Sequence, residues 1–302
     1  MLKINNKFIG YFAAVAAAVT FGLNPLFGLK LYAAEITVPT VLFYRFGTAA
    51  LFLAMLMIIQ KKSFFVPLSH IFMLVMLALC LAGTSLGLFA SFKKMDAGLA
   101  STLLFIYPVV VALIMTFFFR EKLTWRLIIS IIMSLAGVAV LCKTSDGAVI
   151  NIAGLALAIL SAVAYAVYIV LVRQSRLHEL QPETMTFYTM LLSLPYFVLT
   201  PGFDFALPLK ADVILNLAGL AFFPGFLSLY LTAVGLRYIG ATQTAILGAL
   251  EPLTAVFIGV MVFHESFTWR LAAGIILILA AVTVVILAEK ESGDKIKETC
   301  VE

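Results

Sequence analysis

The sequence predicts an all-α integral membrane protein: ten transmembrane helices arranged as two inverted five-helix repeats. Three observations predict it. Hydrophobic residues make up 64% of the chain and charged residues 12%, against about half and about a quarter in soluble domains. The apolar residues fall in ten continuous runs, not in the alternating pattern of outer-membrane barrel strands. Finally, the chain is written twice. Glu121-Lys122-Leu123-Thr124-Trp125-Arg126 returns 144 residues later as Glu265-Ser266-Phe267-Thr268-Trp269-Arg270. The same shift, without a gap, aligns Gly10 with Gly154, Thr40 with Thr184, Phe43-Tyr44 with Phe187-Tyr188 and Pro108 with Pro252. A fixed-offset repeat is the first guide to architecture.

The runs follow in order. The first, 8–29, contains Asn24 and Pro25. The second, 38–60, carries Arg45 about seven residues in and stops at Lys61-Lys62. The third, 69–92, has Gly83 and Gly87 at the GxxxG spacing of close helix contacts. The fourth, 97–119, is interrupted by Pro108 and closed by Arg120. The fifth, 124–143, opens on Thr124, a natural helix cap, and Trp125, an interface residue. The second copy supplies 151–173, 183–201 with Pro195, 211–236 with Pro224, 241–263 with Glu251-Pro252, and 268–288 with Thr268-Trp269. The units are thus a short N-terminus (1–7), a first repeat (8–143), a second repeat (151–288) and a charged, disordered tail (289–302). Lys3 and Lys7 before an apolar run resemble a signal peptide, but this run outlasts the usual apolar region of one, so an uncleaved first span is expected.

Counting Lys and Arg in alternate loops orients the chain. With the N-terminus cytoplasmic, thirteen of the 20 basic residues fall inside, six outside, and Arg45 within a span. Both termini are therefore expected in the cytoplasm, with the protein in the cell membrane. The net charge of +5 reflects these loops and is no sign of nucleic-acid binding. Five spans per copy is the consequential number. An odd count inserts the second copy upside down, and inverted repeats are the structural basis of alternating access.

The paired signature resembles the EamA-type family of the drug/metabolite transporter superfamily. It comprises Glu251-Pro252, Glu265 and Gly274 in the second copy, and Tyr107-Pro108, Glu121 and Gly137 in the first. The resemblance covers about residues 8–288. It implies a bundle of two inverted halves around a central cavity that moves small organic solutes, many members exporting amino acids or related metabolites. It does not name a substrate or a coupling mode.

Only Arg45 and Glu251 place charge deep in apolar runs, at a cost of roughly 2.5–3.5 kcal/mol each on insertion scales. Glu251 is the candidate cation or proton site and the candidate coupling residue. Arg45 is either an anchor for a substrate carboxylate or gate partner, or a packing device bound to headgroups or backbone carbonyls. Their repeat partners, Tyr107 and Thr189, are uncharged. Asn24, Tyr107, Tyr165, Tyr168 and Glu251 are expected to face one central pocket, with Arg45 as a further substrate contact. Pro25, Pro108 and Pro252 are the candidate helix breaks. Pro108 frees the Leu104 carbonyl and Pro252 that of Gly248, either at a cavity wall or as packing kinks.

Cys80, Cys142 and Cys300 show no pairing or metal spacing, and no cofactor is implied. No HExxH, GxSxG or pair of intramembrane acids supports an enzyme. A channel or a non-transporting scaffold is the main alternative to a carrier. The partners expected are a small-molecule substrate and the bilayer, with possible proton coupling; the sequence assigns no oligomeric state.

Overall fold

The computed structural model describes residues 2–34, 36–92, 94, 103–120, 124–141, 151–175, 177, 180–208, 210–262, 269, 272–281, 283 and 284. Among them the regular elements are helices. In the first half these are α1 (Leu2–Phe21), α2 (Asn24–Ala33), α3 (Val38–Ile59), α4 (Leu68–Phe92), α5 (Tyr107–Phe119) and α6 (Trp125–Leu141). The second half has α7 (Ile152–Gln174), α8 (Pro182–Val198), α9 (Ala211–Leu220), a π-helical turn (Ala221–Leu227), α10 (Ser228–Ile239), α11 (Ala241–Leu247), α12 (Leu250–Val262) and α13 (Ala272–Ala281).

The all-helical membrane class is what the sequence led one to expect. Among the described residues, five stretches are long and apolar enough to cross a bilayer: Asn6–Gly28, Val38–Ile59, Leu68–Ser91, Ile152–Gln174 and Ala211–Ile239. Tyr107–Phe119, Trp125–Gly137 and Ala272–Ala281 are shorter apolar helices. Large apolar side chains such as Ile58, Phe72, Phe117, Phe118 and Leu160 are exposed on the outside, where lipid is a better solvent for them than water.

Helix boundaries have local causes. Pro39, Pro108 and Pro182 sit in the first turn of α3, α5 and α8, where a missing N–H breaks no helical bond. The Asn151 side chain caps α7 by accepting from the Ala153 and Gly154 amides at 2.9 and 3.1 Å. Thr124 accepts from the Leu127 amide at 3.4 Å, in line with the cap expected of it. Gly240, at φ +88°, turns the chain from α10 into α11. Trp125 and Trp269 are both exposed. Glu121, Glu265 and the tail from 289 lie outside the described residues.

The halves interlock. Contacts between them come in pairs that exchange under the 144-residue shift. α1 packs on α10 as α4 packs on α7, and α5 packs on α7 as α12 packs on α1. α3 lies on α8, its own repeat equivalent. Gly137 of α6 approaches Gly274 and Ile278 of α13, leaving no room for a Cβ. Of the GxxxG pair, Gly87 abuts Ser161 of α7 at the 3.2 Å a Cβ would meet, whereas Gly83 has open space around it.

The α3–α8 seam is fastened at both ends by the same four-residue device. Near the start of α3, the Thr40 and Tyr44 hydroxyls donate to the carbonyls of Asp204 and Phe205 at 2.8 and 2.7 Å. Near the start of α8, the Thr184 and Tyr188 hydroxyls donate to Ser63 and Phe64 at 3.0 and 2.8 Å. Phe43 meets Phe205 edge-on at 5.8 Å, and Phe187 meets Phe64 edge-on at 5.5 Å. Each helix start therefore meets the loop that follows the other helix, so α3 and α8 run antiparallel.

The two ends differ in charge. At the end where α8 starts, the Lys62 ammonium lies 3.7 Å from the Glu183 carboxylate, and the Tyr230 hydroxyl donates to the same oxygen at 3.4 Å. The repeat partners of Lys62 and Glu183 are Ala206 and Pro39, which cannot form such a pair. Glu183 is buried, whereas a third of the Lys62 side chain is exposed. Removing the lysine therefore leaves a buried acid without its counter-charge and with only the long Tyr230 hydrogen bond, while neutralising the acid leaves a lysine that can reach water. Lys62→Ala is expected to destabilise the protein by about 1–3 kcal/mol and Glu183→Gln by clearly less. Thermal unfolding in detergent checks the order of the two midpoints; the reverse order would mean that the pair is not held as described.

Candidate central site

Where α1, α5, α7, α10 and α11–α12 converge, they enclose a void of about 10 Å³, close to the minimum for one water. Polar atoms come from Tyr107, Tyr165, Thr232, Thr244 and Glu251, and apolar walls from Ala14, Ala17, Ala18 and Ile169. Three of the five expected pocket residues thus meet: Tyr107, Tyr165 and Glu251. Tyr168 stacks on Tyr165 at 5.9 Å with ring planes 7° apart, one layer behind the lining. Asn24 lies at the α1–α2 break, half-buried, with its side-chain oxygen buried and lacking a hydrogen bond among the described residues. It does not line the void, although neighbouring Gly22 is pressed against the Glu251 carbonyl and Thr254.

Broken helices make the site. α11 stops at Leu247, Gly248 and Ala249 form a turn, and α12 begins at Leu250. Pro252 is the third residue of α12, Pro108 the second of α5, and Pro25 the second of α2. Each proline therefore stands in the first turn of a new segment, where its missing N–H breaks no helical bond. The Gly248 carbonyl accepts from the Glu251 amide at 2.9 Å, a tight turn that sets the Glu251 side chain at a helix start beside the void. Tyr107 reaches across from α5, donates to the Ala245 carbonyl at 3.2 Å and meets Tyr165 edge-on at 4.8 Å. Its hydroxyl occupies the place a Cβ on Gly248 would take.

Arg45 stands elsewhere. It is buried and donates from Nη2 to the Pro224 carbonyl at 3.0 Å, inside the π-helical turn. Its guanidinium carbon lies 5.8 and 5.9 Å from the Phe21 and Phe46 rings. Gly225 lets the turn come this close, since a Cβ there would meet Ala49 at 3.2 Å. Thr189, the repeat partner, binds its own helix at the Met185 carbonyl.

Sequence reasoning passed over Thr232, Thr244 and the Lys62–Glu183 pair, and it named Gly248 only for the carbonyl that Pro252 frees; that carbonyl instead accepts from the Glu251 amide. A lone Thr in an apolar run carries no distinguishing signal. Glu183 is hidden by its place at a run's edge, where an acid reads as a solvated loop. Thr40, Thr184, Tyr44 and Tyr188 were visible as repeat matches, but their partners lie in loops where the repeat is not legible.

The Gly248–Tyr107 contact is open to test by a double-mutant cycle. Gly248→Ala forces the Tyr107 hydroxyl aside and is expected to cost about 1–3 kcal/mol. Tyr107→Phe removes that hydroxyl, so the double variant is expected to regain most of the loss. Additive midpoints would show that the two residues do not touch.

The EamA-like transporter family model matches residues 8–142 and again 152–287, the two copies of the repeat. An uncharacterized transporter of Archaeoglobus fulgidus is 28% identical over 247 residues, spanning 80% of this chain and 86% of its own. A crystal structure at 20% identity superposes with a TM-score of 0.78, covering 95% of this chain and 98% of the other, which establishes likeness of fold. With the family model matching both halves, the chain belongs to the EamA-like transporter family.

Proposed function

We propose that the chain is a secondary carrier that exports small organic metabolites across the cell membrane by alternating access. In this reading the two halves are inverted five-span repeats, with both termini in the cytoplasm and Glu251 at the site they share. The observation that carries it is the α3–α8 seam: repeat-equivalent helices run antiparallel and are fastened by the same bonds at both ends. A twofold axis between two antiparallel spans lies near the membrane plane, the relation that lets two halves exchange conformations.

The charge count supports the same topology. It places Lys62 and the chain before Glu183 inside, and the chain before Thr40 and around Asp204 outside. Each fastening then joins loops of one side. The narrow central void favours a carrier over an open channel, since an organic solute enters only if the lining helices part.

Glu251 is the coupling candidate. A carboxyl at membrane depth can pass a proton between the two sides as the site opens to each in turn. Glu251→Gln keeps size and most hydrogen bonding while removing the charge change. The variant is expected to insert normally and to lose pH-dependent uphill transport in proteoliposomes, by about tenfold or more. Unchanged uphill transport with an unchanged pH profile would remove Glu251 from coupling.

A further inference from the structure

Resting on the carrier reading, we propose that the central site takes an organic ammonium group, held between the Glu251 carboxylate and the Tyr107 and Tyr165 rings. The solute is then an amine or quaternary ammonium compound, not a carboxylate or a free amino acid.

The lining dictates the sign. Glu251 is more than nine-tenths buried and opens onto the void. Among the described residues none gives its carboxylate a hydrogen bond or an ion pair, and none of those lining the void is basic. A buried acid without a partner is costly, and an incoming ammonium supplies both the opposite charge and the missing donors. Tyr107 and Tyr165, meeting edge-on at 4.8 Å, bring aromatic rings to the same space, and a ring face attracts a cation further. Thr244 donates its hydroxyl hydrogen to the Gly240 carbonyl at 2.7 Å, so its oxygen can accept from a second N–H. The alanine and isoleucine walls suit an apolar body.

A carboxylate finds nothing equivalent. The deep cation of the bundle, Arg45, is outside the lining and bound to the Pro224 carbonyl. A solute carboxylate would instead sit beside Glu251 and be repelled. An α-amino acid would satisfy Glu251 with its ammonium and strand its carboxylate. The family-level expectation of amino-acid-like solutes is thereby narrowed to their decarboxylated counterparts and similar amines.

Three probes with one skeleton separate the cases: phenethylamine, phenylalanine and phenylacetate, titrated into the purified protein at one pH. Phenethylamine is expected to bind at least about tenfold tighter than either of the others. Glu251→Gln is expected to cut that preference below about twofold, and Glu251→Asp to restore part of it. Equal affinities, tighter binding of either carboxylate, a preference that survives Glu251→Gln, or binding by none of the three would overturn the assignment.

Counterflow in proteoliposomes distinguishes this failure from failure of the carrier reading. Phenethyltrimethylammonium, a fixed cation that does not cross lipid unaided, serves as the flux probe beside phenylalanine. Saturable phenylalanine exchange that ignores Glu251→Gln leaves a carrier and removes the amine site. Selective amine binding without exchange of any probe leaves the site and removes the carrier.

Discussion

Four hydroxyl-to-carbonyl bonds fasten the α3–α8 seam, and the rest of the architecture depends on them. Thr40 and Tyr44 hold the loop after α8; Thr184 and Tyr188 hold the loop after α3. Between apolar helices in lipid there is little hydrophobic drive to associate, so close packing and interhelical hydrogen bonds decide the arrangement. Loop carbonyls near the bilayer also need donors, and the opposite half supplies them. With this seam set, α1 falls on α10 and α4 on α7, and the broken helices are left to meet at the centre.

The two ends share the pair of hydroxyl-to-carbonyl bonds but differ in charge. Lys62, Glu183 and Tyr230 add an ion pair and a hydrogen bond to one end, at positions whose repeat partners are Ala206 and Pro39. On the alternating-access reading this weights closure of that end over closure of the other. The central site is asymmetric in the same way: Glu251 faces its own repeat partner Tyr107 across the void. One copy gives the charge and the other gives the ring.

Much of this was legible in the sequence, for physical reasons. Apolar runs must be helices in lipid because every backbone group needs an internal partner, so class and approximate boundaries could be read directly. The repeat exposed Thr40, Tyr44, Thr184 and Tyr188 but not their function, because loop sequences diverge while a carbonyl acceptor is present whatever the residue. Glu251 and Tyr107 were found through depth and the Pro-linked signature, and Tyr165 through the repeat, in the span equivalent to that of Asn24 and Pro25. Arg45 had been left between two roles; its bond to the Pro224 carbonyl depends on a π-helical turn that no periodicity announces. Tyr168 and Asn24 sit beside the void without lining it: Tyr168 through helix rotation, to which a run with apolar residues on every face gives little clue, and Asn24 through the break between α1 and α2.

On the proposed alternating-access mechanism, the two ends of the α3–α8 seam open in alternation. Distances between spin-label pairs in a cysteine-free background test it most directly, with one pair at Phe65 and Gln181 and the other at Thr37 and Ala206. Across conditions that shift the carrier, such as a pH gradient or added amine, the account predicts anticorrelated populations: lengthening at one pair accompanies shortening at the other. Two pairs that lengthen together, or that both stay fixed while solute is carried, would contradict it.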